Sequence, residues 1–296
     1  MISYKYLLRH YNKHDKVIYL STQSLINMKG NVVTNYANEI LAYLDTRPID
    51  NPLKLYSEES NKLSQLQREF EKTGEYKNSS YSEVDIIDVE LYNLRLLMSF
   101  ITSVHRFEIL VMLENFIKSE TSGPKKLLSI GVGSGYEIKL CNDYMEDWKF
   151  YAYDKGSENI NYASDLLRFF NYSNKSLRYK SFPLERKTGI SKHKNVYGKI
   201  ILCELLEHLE NPVQALQSAR YSLHPEGIMF LTMAINIAQE DHIYLYSSIE
   251  QAKNQVKENG LTIIKELIVP QTLFTFKESE RVKDLKRGAY VCIVKK

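Results

Sequence analysis

Three glycines at alternate positions, Gly131, Gly133 and Gly135, lie between a short apolar run (Leu127, Leu128, Ile130) and a helical pattern. A buried strand, a tight turn and a helix start, in that order, let an open α/β sheet hold a nucleotide-like ligand. Glycine serves there because the backbone bends sharply and lies against a ligand with no Cβ between them. The spacing is G-x-G-x-G, not the dinucleotide G-x-G-x-x-G, and an ordinary glycine turn can share it. Asp154 stands 23 residues beyond Gly131, at the end of a second apolar run. A carboxylate there can accept hydrogen bonds from both hydroxyls of a ribose. The plainer reading of Asp154 is a solvated turn residue before Lys155 and Gly156. Further on, His208 and His242 carry imidazoles, which titrate near neutrality and suit removal of a proton from an oxygen or nitrogen. A histidine that merely packs or caps a helix start is the alternative for His208.

These residues need a scaffold, and the chain supplies one from Lys126 onward. Strands and helices alternate there, the mark of a doubly wound parallel sheet. Strands are predicted at Leu127–Ile130, Lys149–Tyr153, Leu177–Phe182 and Lys199–Cys203, with helices at Glu137–Met145, Asn159–Phe170 and Val213–Leu223. Leu261–Thr275 and Ala289–Val294 read as a closing antiparallel pair joined by the charged stretch Lys277–Gly288. Residues 1 to about 118 have no such rhythm and are helical in pattern. Ser21–Leu44 carries apolar residues at three- and four-residue steps, and Pro48 and Pro52 then break the helix. Glu58–Lys72 is a polar helix candidate. Asp85–Lys118 is apolar and long enough for two helices, with a break near Thr102-Ser103 and His105-Arg106. The expected organisation is a helical unit over 1–118 and an α/β unit over 119–296, joined at the polar stretch Ser119–Lys126.

Composition narrows the function. The chain has 296 residues, 44% hydrophobic and 25% charged, an ordinary globular balance. A net charge of +3 gives no electrostatic case for a nucleic acid or a membrane surface as partner. Cys141, Cys203 and Cys292 are scattered, without metal or redox spacing, which favours a reducing compartment. The N-terminus lacks the apolar stretch of a signal peptide, and Leu96–Val104 is too short to span a bilayer. The expectation is a soluble, cytoplasmic protein.

The glycine turn resembles the first motif of class I S-adenosylmethionine (SAM) methyltransferases. Glu204–Pro212 resembles their fourth-strand motif as found in ubiquinone- and menaquinone-pathway enzymes. His224–Leu231 resembles the turn and fifth strand that follow, and Asp241–Gly260 resembles the later segment with a histidine, an aromatic, a serine and a helix ending in glycine. The resemblance covers about 120–296 and implies a Rossmann-like, doubly wound seven-stranded sheet with SAM as cofactor. By resemblance, Gly131, Gly133 and Gly135 face the amino-acid end of SAM and Asp154 its ribose, and the segment Cys203–Glu207 passes near the sulfonium, with Cys203 and Glu204 as cofactor-binding residues. Many relatives bind adenine with a carboxylate at the end of the third strand; here Ser181 and Phe182 stand in its place. His208 and His242 are then the candidates for proton removal from the acceptor.

The same resemblance implies that the N-terminal helices cover a substrate pocket or form a homodimer. It also raises a metal. RNA 3′-terminal 2′-O-methyltransferases hold a divalent ion with a Glu-x-x-Glu-His cluster and a later histidine, matched here by Glu204, Glu207, His208 and His242. Such a set suits Mg²⁺ or a transition metal. Many metal-free small-molecule methyltransferases carry these residues too, so the metal is not the favoured expectation. The leading reading is methylation of an oxygen or nitrogen of a small molecule in a biosynthetic pathway. The alternatives are a metal-assisted RNA 2′-O-methyltransferase and a non-catalytic SAM-binding partner protein.

Overall fold

The computed structural model describes residues 3–85, 88–173, 175–179, 193–271 and 287–296. The N-terminal region contains six helices: α1 (Tyr4–His14), α2 (Lys16–Lys29), α3 (Asn31–Leu44), α4 (Pro52–Thr73), α5 (Val89–Thr102) and α6 (Val104–Lys118). The apolar periodicity of Ser21–Leu44 is split between α2 and α3. Gly30 parts them at φ 50 and ψ −122, outside the helical region, which no other residue type adopts easily. The helix read at Glu58–Lys72 starts earlier, at Pro52, where Pro occupies the first turn and the Asn51 side chain accepts from the Lys54 backbone N–H. The break within Asp85–Lys118 falls at Ser103, where α5 and α6 meet at 87°. Among the described residues, no single helix is long and apolar enough to cross a membrane.

The rest is a mixed sheet flanked by helices. Its strands are β1 (Lys126–Ile130), β2 (Lys149–Asp154), β3 (Leu177–Tyr179), β4 (Tyr197–Leu202), β5 (Leu223–Ile235), β6 (Thr262–Pro270) and β7 (Gly288–Lys295). The helices between them are α7 (Tyr136–Tyr144), α8 (Ser157–Phe169), α9 (Pro212–Ser222) and α10 (Ile249–Glu258). The seven strands lie in the order β3-β2-β1-β4-β5-β7-β6, parallel through β5, with β7 antiparallel to both its neighbours. Strand order therefore reverses at β1 and β4, and a ligand crevice opens beyond the carboxyl ends of such strands.

Alternation along the strands builds both faces. Leu127, Ile201 and Phe230 join the core formed with α3, α5 and α6, whereas Leu128, Ile200 and Leu231 pack with α9 and α10 on the other side. The N-terminal helices are thus a layer on the sheet, sharing its hydrophobic core. Lys199 fixes one of them. This fully buried β4 residue donates from Nζ to the carbonyls of Phe116, Ile117 and Ser119 at 2.6–2.8 Å. Those carbonyls lie at the end of α6, where a helix leaves its last carbonyls without i+4 partners; that of Phe116 also accepts from the Ser119 N–H and hydroxyl. Burial lowers the Lys199 pKa to about 8, the cost of placing an ammonium under a helix end.

Candidate active site

A cavity of about 1730 Å³ lies where the carboxyl ends of β1, β2 and β4 meet the inner faces of α2, α4 and α5. Gly131 and Gly133 line it and adopt φ of +79° and +50°. A Cβ on Gly133 would come within 3.1 Å of Leu96 Cδ1 across the cavity. Asp154, only 7% exposed, ends β2 at the wall of the same space. Its Oδ2 accepts from the Gly133 N–H at 3.2 Å, and its Oδ1 from the Gly156 N–H at 2.8 Å and Asn159 Nδ2 at 3.3 Å. The carboxylate therefore ties the glycine turn to the start of α8 and still has about one lone pair for a ligand. A backbone turn without side chains, facing a buried carboxylate at the next strand, fits a nucleoside such as that of SAM.

The glycines do not share one role. Gly135 is not among the residues lining the cavity; a Cβ there would fall 2.6 Å from Ala163 Cβ on α8. Its bare backbone lets α7 and α8 touch. Cys203 and Glu204 do line the cavity, at the end of β4. Ser181 and Phe182 lie outside the described residues.

Just past β4, a short helical turn at Leu206–His208 brings Glu207 and His208 beside His242. One ligand atom from each of the three lies within 4.8 Å of the others, and the two imidazoles meet edge to face with centroids 4.8 Å apart. His208 Nδ1 lies 3.0 Å from the Asp241 carbonyl oxygen and 3.2 Å from its Oδ2, so Nε2 is the nitrogen left over. His242 Nδ1 is 2.7 Å from the Ile237 carbonyl, and its buried Nε2 has no partner among the described residues. Both carboxylate oxygens of the fully buried Glu207 are likewise unpaired among them. Glu204 does not join this group. Its carboxylate meets Arg106, and its Oε1 accepts from the Thr232 hydroxyl at 2.9 Å.

Protonation follows from these surroundings. Burial penalises a charge on His208, but Asp241, by charge and hydrogen bond, and Glu207 outweigh it and raise its pKa to about 9. Burial and the charge of His208 hold His242 down to about 3. Burial, with Glu204 nearby, pushes Glu207 up. Asp241 is also buried, yet the facing His208 keeps its carboxyl well below the usual range. His208 and Asp241 line the cavity; Glu207 and His242 are not among the lining residues.

Several cavity residues carry no sequence motif. Gln67 on α4 donates to the Asn236 carbonyl at 3.0 Å and accepts from the Ala238 N–H at 2.9 Å. Arg95 on α5 pairs with the Glu240 carboxylate, and Asn78, behind the lining residues, donates to the Glu240 carbonyl at 2.6 Å. The helical region thus holds the segment leading into Asp241 and His242. Arg106 on α6 and Glu137 on α7 also reach the cavity. An arginine within an apolar helix is a sequence signal for such a partner, because a buried charge is costly unless paired.

Strand order, glycine turn and the buried carboxylate at the end of β2 together define a class I SAM-dependent methyltransferase fold. Residues 105–266, more than half of the chain, match the methyltransferase domain family, and the chain belongs to it. No curated protein matches the sequence. Among solved structures, the chain is similar to the CurJ carbon methyltransferase, with 17% identity over 82% of this chain and 66% of that one, at a TM-score of 0.51. It is also similar to the mitomycin 7-O-methyltransferase MmcR (10% identity, 79% and 60% coverage, TM-score 0.48). The cyclase SpnF is another (14% identity, 62% and 80% coverage, TM-score 0.47). Identities this low speak to the fold alone.

Proposed function

We propose that the protein transfers the methyl group of SAM to an oxygen or nitrogen of a small molecule held under α2, α4 and α5, as a step of small-molecule biosynthesis. The single observation behind this reading is that the glycine turn, Asp154 and the roof helices open into one cavity of about 1730 Å³. A ligand site takes about 300–1,000 Å³, so a second ligand has room beside a cofactor. When bound, SAM supplies a methyl carbon already activated by a positive sulfur. The protein has to align the acceptor and manage one proton. Asp154 grips the ribose, and Cys203 and Glu204 border the transferring group. His208, oriented by Asp241 and kept protonated by it near neutrality, can take the acceptor's proton only after losing its own, so transfer is expected to rise with pH toward about 9; His242 lies behind it. The likeness of Glu204–Pro212 to ubiquinone- and menaquinone-pathway enzymes supports the same reading. With SAM carrying a tritiated methyl group and a fractionated cell extract as acceptor, label is expected in the low-molecular-weight fraction. Label confined to RNA overturns the small-molecule reading.

A second reading, metal-assisted methylation of a hydroxyl, has its own observation. Glu207 and His242 present buried ligand atoms without partners among the described residues, converging with His208. These three would hold a divalent cation, with Asp241 and the Ile237 carbonyl orienting the two imidazoles from behind, as outer partners of metal-bound histidines do. Such an ion supplies a Lewis acid that lowers the pKa of a bound hydroxyl. On this reading, chelator-treated protein takes up one equivalent of Mn²⁺ or Mg²⁺ by calorimetry, and His242→Ala takes up none. Methyl transfer at full rate by the metal-stripped protein ends it.

A further inference from the structure

The floor of the cavity on the β4 side holds a group that neither the proton chemistry nor the metal cluster uses. Arg106 is in the first turn of α6 and is 9% exposed. It meets Glu204, and its guanidinium carbon lies 5.2 Å from the ring centroid of Phe100. A guanidinium has five N–H donors, and among the described residues Glu204 is its one ion-pair partner. Glu137, in the first turn of α7, takes a hydrogen bond from the Cys203 thiol and has no ion-pair partner among those residues. Arg106, Glu137, Cys203 and Glu204 all line the cavity that Asp154 lines.

We propose that Arg106 and Glu137 form a clamp for the zwitterionic amino-acid end of the cofactor, the guanidinium receiving its carboxylate and the Glu137 carboxylate its ammonium. This rests on the SAM reading and goes beyond it by placing recognition in side chains outside the glycine turn. Topology supplies the reach. The strands run β2, β1, β4, with Asp154 at the end of β2 and Cys203-Glu204 just past β4. Neighbouring strands are about 4.8 Å apart, so the ribose carboxylate and the clamp flank the glycine turn on opposite sides. An arm that leaves a ribose at Asp154 and crosses that turn arrives at Arg106 and Glu137.

Charge and strain support the assignment. A buried arginine–glutamate pair adds little stability over apolar side chains of the same volume, so packing alone does not call for Arg106. Glu204 holds its end of the pair from a left-handed backbone, φ +49°, which costs a non-glycine residue energy. Its other oxygen is engaged by Thr232, so Glu137 is the carboxylate left to meet an ammonium.

The test is calorimetry with S-adenosylhomocysteine and two analogues, one lacking the carboxylate and one lacking the amino group. Wild-type protein is expected to bind each analogue about 10- to 100-fold more weakly, the worth of one charge-assisted hydrogen bond. Arg106→Met is expected to weaken S-adenosylhomocysteine by a similar factor and to leave the carboxylate-free analogue unchanged. Glu137→Gln is expected to mirror this with the amino-free analogue. Equal binding of all three ligands by the wild type overturns the clamp without any variant. Variants that weaken all three ligands alike also overturn it. If the wild type binds none of them, the cofactor reading itself fails, a result distinct from loss of the clamp.

Discussion

Asp154→Ala is expected to lower the affinity for SAM by about one to two orders of magnitude while leaving the fold intact. In the wild type both carboxylate oxygens are already engaged, Oδ2 by the Gly133 N–H and Oδ1 by the Gly156 N–H and Asn159. An ionised carboxylate has about four acceptor sites; three are taken, which leaves about one for a ligand hydroxyl. A hydrogen bond to a charged group contributes about 1.5–3 kcal/mol, so losing it costs roughly 10- to 100-fold in binding. The alanine variant also frees the Gly133 amide, which loosens the turn against which the ligand lies. Asp154→Asn is the informative companion. Its NH₂ group meets a backbone N–H that needs an acceptor, so it should bind poorly despite its nearly identical shape. Calorimetry with SAM, alongside circular dichroism as a check on folding, measures both. Binding by Asp154→Ala within threefold of wild type would show that the nucleoside does not use this carboxylate.

Why Asp154 could be found in the sequence and Arg106 could not is a matter of range. The glycine turn and Asp154 are set by two adjacent strands, β1 and β2, whose apolar runs show directly in the chain. The register Ile130↔Tyr153 then brings their ends together. Glu207 and His208 likewise follow β4 at once. Arg95 and Arg106 stand out as charges in an apolar segment, but Glu240, which pairs with Arg95 alongside the nearer Glu59, and Glu204, which meets Arg106, come from the far half of the chain. Sequence pattern marked only a break near Thr102-Ser103 and His105-Arg106. The break falls at Ser103, while the arginine itself lines the cavity. Asp241 carries no signal either: it is one short acidic residue beside a histidine, and only the fold turns its carboxylate onto His208. At Gly30 the pattern misled for another reason. Apolar residues keep a helical period on both sides of it, and an isolated glycine inside such a pattern is tolerated as often as it breaks a helix.

Gly135→Val should damage the fold rather than the ligand site, and by more than any change at Gly131 or Gly133. All three glycines share the left-handed backbone that motifs of this kind require, with φ +81° at Gly135. They differ in what a side chain would meet. At Gly131 and Gly133 it meets the tips of Leu205 and Leu96, at 3.2 and 3.1 Å, and a leucine tip can move. At Gly135 it meets Ala163 Cβ at 2.6 Å and Ala163 Cα at 2.8 Å, and a backbone atom in the middle of α8 cannot. Relief requires α8 to separate from α7, which opens the small core of Val132, Ile138, Ala163 and Leu167. A left-handed β-branched residue adds its own penalty of about 1–2 kcal/mol. Overpacking adds about 1–3 kcal/mol more. The sum is about 3 kcal/mol or above, which for a chain of this size lowers the melting temperature by roughly 5 °C or more. Gly133→Ala should instead melt within a few degrees of wild type and lose affinity for SAM. Calorimetric melting of both variants, each followed by SAM titration, separates the two roles. If Gly135→Val melts like wild type and loses only ligand binding, then Gly135 faces the cofactor and α7 and α8 do not need its missing side chain.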